Sequence, residues 1–255
     1  MGKEEKKILF VTVGTSALTA RLLGSGISQD SARLRQRCTA YVEDPDGQQR
    51  DEAELFTEVL EVHRAYWTRK AGGGQLEAEG TSAEMTSTSL LMRTDPEGER
   101  KPSERKLLGG FKKGRDHLAL LASDTPEGQF CAKLNARLIC EFLVGCKCND
   151  NCETCEVVVW TGLEARDKEF QGIANKLREI VTDEKYSERT RFFNITGGYK
   201  AAIPAVTYLC WDLRPTVPIF NQHVSQSSVI RLQFVPGPAP GESHMKEEII
   251  YAPET

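Results

Sequence analysis

Two hydrophobic patterns alternate along this chain: short continuous apolar runs, and longer stretches in which apolar residues recur at helical spacing. Continuous apolar runs are typical of parallel strands covered on both faces, whereas apolar residues three or four positions apart are typical of helices. The runs predict strands at 7–13, 117–122, 156–163, 191–196, 217–220 and 229–234. The helical spacing predicts helices at 51–70, 82–92, 130–144, 167–181 and 201–213.

The order of these elements predicts an α/β fold. Strands that alternate with helices imply a Rossmann-like, mostly parallel central sheet flanked by helices and joined by right-handed crossovers. We expect this domain to span 1–236 and to end in a C-terminal β-hairpin. Two polar stretches are predicted insertions, 21–50 as irregular chain or a broken helix and 93–115 as a loop or a mobile helical insertion. The tail, 237–255, is predicted to have little order before Ile249.

Composition narrows the classes of partner. The 255 residues carry a formal net charge of −4, which disfavours non-specific binding to long nucleic acid, so an anionic ligand would need a local site. No apolar run is long enough to span a membrane, and the run at 8–11 is too short for a signal peptide. We therefore expect a cytoplasmic protein with no membrane partner, whose eight cysteines are mostly reduced.

The segment 193–200 is the strongest indication of a ligand site. An apolar strand pattern stops at Thr196-Gly197-Gly198, and a helical pattern begins just after Lys200. Glycines let a ligand approach the backbone because they carry no Cβ, and the N–H groups of a helix's first turn favour an anion. With the charge of Lys200, this chemistry predicts a phosphate site. Taken alone, the segment also fits a tight turn followed by a solvated lysine.

Two further polar turns follow predicted strands, at Gly14-Thr15-Ser16 and at Ser123-Asp124-Thr125. In open parallel sheets, ligands bind beyond the carboxyl ends of the strands. We therefore expect all three turns to share one ligand edge, where the hydroxyls of Thr15 and Ser16 can donate to a phosphate or a ribose. Helix capping is the alternative role for Ser16 and for Asp124.

Four cysteines cluster between a predicted helix and a predicted strand. They are Cys146, Cys148, Cys152 and Cys155. Only the last two have the pair spacing that is common in zinc sites. Two interpretations stay open, a structural zinc that fixes this connection and a set of free thiols on a loop.

Four segments, in this order, resemble the CRISPR-associated Rossmann-fold (CARF) proteins, the sensors and ring nucleases of type III CRISPR systems. The segments are Ile8–Ser16, Thr81–Glu84, Leu120–Gly128 and Asn194–Pro204. The likeness spans about residues 7–235. It implies a homodimer that binds a cyclic oligoadenylate, most commonly cyclic tetra-adenylate, across its two-fold axis.

Within that resemblance, the chain is most similar to a stand-alone ring nuclease. It lacks the spaced Arg and His pair of a HEPN ribonuclease, and about 20 residues follow the last predicted strand, too few for another domain. The implied reaction needs no metal or other cofactor. A 2′-hydroxyl attacks its adjacent phosphorus and leaves linear adenylates with 2′,3′-cyclic phosphate ends, which switches off type III signalling.

Two other functions are alternatives to cleavage. A CARF sensor would bind the ring intact and regulate a partner effector or transcription, and this alternative stays open because both readings share their binding residues. An ordinary nucleotide-dependent dehydrogenase is excluded, because the turn after the first strand reads Gly-Thr-Ser-Ala-Leu-Thr at 14–19 instead of G-x-G-x-x-G.

The resemblance also implies roles for individual residues. Lys200 would stabilise charge on the non-bridging phosphate oxygens, and Ser16 would orient the phosphate or the 2′-hydroxyl. The expected ligand contacts are Gly14, Thr15, Ser16, Glu84, Ser123, Asp124, Thr125, Asn194, Thr196, Gly197, Gly198, Tyr199 and Lys200.

Overall fold

The computed structural model describes residues 6–20, 23, 29–45, 51–71, 81–92, 111–145, 154–163, 170–198, 202–213, 219–221, 229–236 and 243–251. The strands are β1 (Lys6–Thr12), β2 (His117–Ser123), β3 (Cys155–Trp160), β4 (Arg189–Asn194), β5 (Ile219–Asn221), β6 (Val229–Pro236) and β7 (Ser243–Tyr251). The α-helices are α1 (Ser16–Thr19), α2 (Gln29–Glu43), α3 (Glu52–Ala71), α4 (Ala83–Met92), α5 (Pro126–Ile139), α6 (Phe170–Val181) and α7 (Ala202–Leu213). A π-helical turn, Cys140–Val144, continues α5, and a 3-10 turn, Glu184–Tyr186, precedes β4.

The strands form one sheet in the order β3-β2-β1-β4-β5-β6-β7. Pairing is parallel from β3 through β5 and antiparallel between β5 and β6 and between β6 and β7. The predicted α/β class with a mostly parallel sheet is therefore confirmed. Because β1 lies between β2 and β4, the turns that follow these three strands share one edge of the sheet.

The apolar strand runs reflect burial on both faces. Leu9 and Val11 of β1 pack into the cluster that contains α2, α3, α4 and α5, whereas Ile8 and Phe10 pack into the cluster that contains α6 and α7. Successive side chains of a strand point to opposite faces, so the buried middle of β1 is apolar at four consecutive positions, Ile8 to Val11. Phe10 stacks on Phe193 of β4 with ring centroids 5.2 Å apart.

Irregular chain, one of the two alternatives predicted for 21–50, is wrong for Gln29–Glu43, because α2 is a regular helix of 15 residues. Its buried residues Leu34, Cys38 and Tyr41 are spaced four and three positions apart, which places them on one helical face. Only these three buried positions mark the face, and five charged residues lie among them and beside them, so the apolar period was too weak to predict this helix from the sequence.

The prediction for the tail is also partly wrong. The strands β5 and β6 form the expected antiparallel pair, but Ser243–Tyr251 adds a further strand that pairs along β6. The sequence of β7 is rich in charge, with Lys246, Glu247 and Glu248. Charged residues are common in edge strands, where they discourage pairing with other chains. Because β7 contains no long continuous apolar run, its sequence does not predict a strand.

Other predicted bounds shift by a few residues. The helix predicted at 130–144 begins at Pro126, because Thr125 caps it and accepts from the Gly128 N–H at 3.3 Å. Of the predicted insertion 93–115, residues 93–110 lie outside the described residues. Within the described residues, none of the helices combines the length and apolar character that crossing a membrane requires.

Candidate functional site

The turns after β1 and β4 meet at the edge of the sheet. Val11 of β1 is in register with Asn194 of β4, so the two strands end side by side. A Cβ on Gly14 would lie 2.9 Å from the Gly198 nitrogen, closer than a side chain allows. Gly198 has φ of +101°, a conformation that residues with a Cβ rarely adopt. Both glycines are therefore required for the two turns to approach each other.

Glu84, in the first turn of α4, joins these turns from beneath. Its Oε1 accepts from the Gly14 N–H at 2.8 Å, and its Oε2 is hydrogen-bonded to the Ser16 hydroxyl. A Cβ on Gly197 would lie 2.0 Å from Oε1, so the carboxyl group fills the space that a side chain there would occupy. Glu84 itself is 0% exposed.

Ser16 connects the start of α1 to the start of α4. Its Oγ accepts from the Ala83 N–H at 3.2 Å while it shares a hydrogen with Glu84. The first N–H groups of a helix have no acceptor within that helix. Ser16 supplies the acceptor for one such group of α4, the Ala83 N–H. Capping is thus one of its roles, although the helix that it caps is not its own.

Burial dominates the electrostatics of this cluster. It raises the pKa of the Glu84 carboxyl above its ordinary value, against the opposing effect of the hydrogen bonds from Ser16 and Gly14. Removing a carboxylate from water disfavours its charged form. The described part of the chain gives Glu84 no ion pair that would offset this cost.

Asn194 supports the glycine turn from inside the sheet. Its Nδ2 donates to Ser87 Oγ at 2.8 Å and to Thr88 Oγ1 at 3.1 Å, both on α4. Its Oδ1 accepts from the backbone N–H and the hydroxyl of Thr196, at 3.2 and 2.7 Å. An amide side chain offers two donors and an acceptor oxygen with two lone pairs, so these four bonds fully engage it. The geometry favours positioning of the turn over direct ligand contact for Asn194.

Thr12 is a site residue that the sequence analysis missed. This last residue of β1 is 1% exposed, and its hydroxyl donates to the Gly197 carbonyl. It therefore ties the end of β1 to the turn after β4. The only signal in the sequence was a hydroxyl at the end of an otherwise apolar strand.

His63, also missed, fastens α1 to α3. Its Nε2 lies 3.0 Å from the Ala17 carbonyl oxygen, so Nε2 carries the hydrogen and Nδ1 accepts from the Thr81 hydroxyl at 3.3 Å. Thr81 Oγ1 in turn accepts from the Trp67 indole N–H at 3.2 Å. Burial lowers the pKa of His63 to about 4, so the imidazole is neutral at pH 7. This chain of bonds holds the residue next to Ser16.

Ser82 caps α4 and anchors it to α5. Its Oγ accepts from the Met85 N–H at 3.1 Å and donates to Asn135 Oδ1 at 2.6 Å. Asn135 Nδ2 donates to the Cys131 carbonyl at 3.0 Å. The first turn of α4, which carries Glu84, is therefore fixed by buried polar contacts from two sides.

The third predicted turn lies at the same edge but is engaged elsewhere. Ser123 Oγ is 3.0 Å from Thr125 Oγ1, and the exposed Asp124 accepts from the Gly162 N–H at 3.0 Å, which ties it to the loop after β3. These bonds stabilise the turn itself. In the described residues, no hydrogen bond joins its side chains to Ser16 or Glu84.

The remaining predicted residues fall partly outside the described chain. Tyr199 and Lys200 lie outside the described residues, as do Cys146, Cys148 and Cys152. Cys155 is buried at the start of β3. No group of three or more His, Cys, Asp or Glu residues that could hold a metal ion occurs among the residues described, and the zinc site stays a prediction.

Comparison with known families identifies the class of protein. The family model for CRISPR-associated protein (Cas_APE2256) matches residues 104–233, just over half of the chain. The match includes β2 to β5 and two of the three turns, whereas Ser16 and Glu84 precede it. A search of curated proteins finds no match. The family agrees with the CARF resemblance, and a role in CRISPR systems follows from it. The chain therefore belongs to the CRISPR-associated protein family Cas_APE2256.

Proposed function

We propose that this chain binds a cyclic oligoadenylate, with cyclic tetra-adenylate as the first candidate, and cleaves it without metal to linear adenylates with 2′,3′-cyclic phosphate ends. The observation that carries the proposal is the Glu84 clamp, in which a buried carboxyl group joins Gly14 and Ser16 beside the Gly197–Gly198 turn. Residues far apart in sequence thereby form one glycine-lined edge in a CRISPR-associated chain. Such an edge suits a ligand whose phosphates must approach the backbone.

The proposed reaction requires positioning more than chemical groups from the protein. The ribose 2′-oxygen forms a bond to the adjacent phosphorus, and the bond from phosphorus to the 5′-oxygen breaks. The 2′-hydroxyl loses a proton, and the 5′-oxygen gains one. Ser16 orients the phosphate or the attacking hydroxyl, and Lys200 stabilises the negative charge that develops on the non-bridging oxygens.

We further propose that the chain works as a homodimer. A ring of repeated adenylates presents equivalent groups on opposite sides. Two copies of the edge, related by a two-fold axis, would meet these groups with identical contacts, as symmetric interfaces do. The switch-off of type III CRISPR signalling would follow from destruction of the ring.

The test is incubation of the purified protein, with EDTA, with cyclic tetra-adenylate and with cyclic hexa-adenylate, followed by mass analysis of the products. We expect linear adenylates with cyclic-phosphate ends, abolished by Lys200→Ala. The matched control is Lys176→Ala, which removes an exposed lysine of α6 that pairs with Glu179 and should leave cleavage unchanged. Tight binding with an intact ring would instead establish a sensor, and binding of neither ring would refute both functions.

A further inference from the structure

A single hydrogen joins Ser16 Oγ to Glu84 Oε2. Whether the serine or the carboxyl group carries this hydrogen determines whether Ser16 can donate a hydrogen bond to a ligand. The Ser16 oxygen already accepts from the Ala83 N–H at 3.2 Å and is bonded to Glu84 Oε2. A serine hydroxyl has one hydrogen and two lone pairs. If Glu84 is ionised, Ser16 must donate its only hydrogen to the carboxylate, and the remaining lone pair can only accept.

The protonated carboxyl reverses this bond. Glu84 then donates to the Ser16 oxygen, the Ala83 N–H takes the other lone pair, and the Ser16 hydrogen becomes available. Meanwhile Oε1 continues to accept from the Gly14 N–H at 2.8 Å, so the clamp keeps its shape in both states. A phosphate oxygen is an acceptor only, so it can bond to Ser16 in the second state and not in the first.

We infer that Glu84 is a positioning residue for Ser16, which when protonated frees the Ser16 hydroxyl to donate to a phosphate oxygen of the ligand, so that ligand binding takes up a proton from solvent. This inference rests on the proposed function, because it needs a phosphate-bearing ligand at the edge. It assigns Glu84 a role through Ser16 in place of the direct ligand contact that the resemblance implies.

The surroundings of Glu84 support a readily protonated carboxyl group. It faces Gly14 and Ser16 of one turn and Gly197 of another. From α5 it faces Cys131, whose thiol pKa is raised by burial and then by the charge of Glu84. His63 of α3 is neutral at pH 7, and it is hydrogen-bonded to Thr81, which lies just before α4. Within the described chain, these neighbours offer Glu84 no positive charge. An arriving phosphate adds a negative charge and raises the pKa of Glu84 further.

The experiment measures affinity against pH with a ring that cannot be cleaved. Cyclic tetra-deoxyadenylate lacks the attacking 2′-hydroxyl but keeps every phosphate, and its phosphodiesters, being strong acids, stay ionised throughout the titration. The wild type is compared with Glu84→Gln and Ser16→Ala. The glutamine oxygen can accept from Gly14 while its amide donates to Ser16, so this variant imitates the protonated state at every pH.

We expect the affinity of the wild type to fall with rising pH, by up to about tenfold per pH unit, while Glu84→Gln binds with a much flatter profile. Ser16→Ala should bind more weakly at low pH and lose the slope. Calorimetry of the wild type in two buffers of different ionisation enthalpy should report proton uptake on binding, and this readout does not depend on a variant that folds.

The outcomes separate the two proposals. Tight binding by the wild type with buffer-independent heat at every pH would overturn the inference and leave the proposed function standing. A Glu84→Gln profile as steep as that of the wild type would also overturn it, because the titrating group would then be another residue. No binding of this ring or of cyclic tetra-adenylate would refute the proposed function, and the inference with it.

Discussion

Gly14 and Gly198 belong to turns that are far apart in sequence, yet a Cβ on Gly14 would lie 2.9 Å from the Gly198 backbone nitrogen. The contact is between two backbones, so no flexible side chain can move away to make room. It sets the distance between the turn that carries Ser16 and the turn that precedes Lys200. The two residues proposed to act on one phosphate are therefore spaced by a glycine pair.

Gly14→Ala should separate the two turns and weaken ring binding. Overpacking of this kind costs about 1–3 kcal/mol of unfolding free energy, measurable by urea denaturation, and calorimetry would report the loss of affinity. The control is Gly172→Ala in α6, where an added Cβ meets nothing within 4 Å. That change should stabilise the protein by up to about 1 kcal/mol and leave binding intact. Equal effects of the two changes would contradict this account of the edge.

Gly197→Ala should displace Glu84, because the new Cβ would lie 2.0 Å from its Oε1. We expect a loss of about 1–3 kcal/mol of stability. A double-mutant cycle isolates the cause. In a Glu84→Ala background the added methyl group has space, so the cost of Gly197→Ala should shrink markedly. An unchanged cost would show that the methyl group clashes with something other than the carboxyl group.

The stability of the free protein should depend on pH through Glu84. Its folded pKa is raised above the ordinary 4.5, so folding favours the protonated form. Well below that value both folded and unfolded states are protonated, and there is no penalty. As pH rises through it, the unfolded state ionises first and the folded state is destabilised. Relative to Glu84→Gln, the wild type should lose unfolding free energy as pH rises above the ordinary value of 4.5 and through the raised pKa of the folded state. A constant difference would contradict the raised pKa.

Glu156 should show the opposite dependence. Partial burial opposes its ionisation, but hydrogen bonds from His117, Tyr186 and Lys185 outweigh that effect and hold the pKa of the carboxyl at about 2. A depressed folded pKa contributes stability above the ordinary value of 4.5, and this stability is lost as pH falls towards 2. Denaturation of Glu156→Gln and wild type should therefore differ at neutral pH and converge in acid. Ring affinity should be unchanged, because none of the bonds to Glu156 involves the Glu84 clamp.

The sequence predicted the central strands of the sheet well because β1 and β2 are buried on both faces. Continuous runs such as Leu118–Ala122 are then unavoidable, and they identify strands without knowledge of tertiary contacts. The errors have the converse origin. The helix α2 buries only a narrow face, and β7 is a charged strand, so neither produces a run of apolar residues. The helix α2 is stabilised by packing against α3, and β7 is stabilised by pairing with β6.

The candidate site was predictable where backbone chemistry determines it. The turns at 14–16 and 196–198 were expected from glycines that follow apolar strands, and the structure brings these two turns together. The roles of the residues that support these turns, Glu84, Thr12 and His63, could not be predicted from the sequence. The bond from Gly14 to Glu84 spans 70 positions, and the functions of Thr12 and His63 arise only from contacts that folding creates.

The indole of Trp67 is connected to the site through the hydrogen bonds Trp67–Thr81, Thr81–His63 and His63–Ala17. Trp160 lies in the cluster on the other face of the sheet. Because indole emission responds to the loss of a hydrogen-bond partner and to entry of water, any shift of α1 or α4 when a ring arrives would be visible at Trp67. The protein thus carries an intrinsic optical probe that hydrogen bonds link to Ala17, the residue after Ser16, and stopped-flow fluorescence could time ligand arrival without an added label.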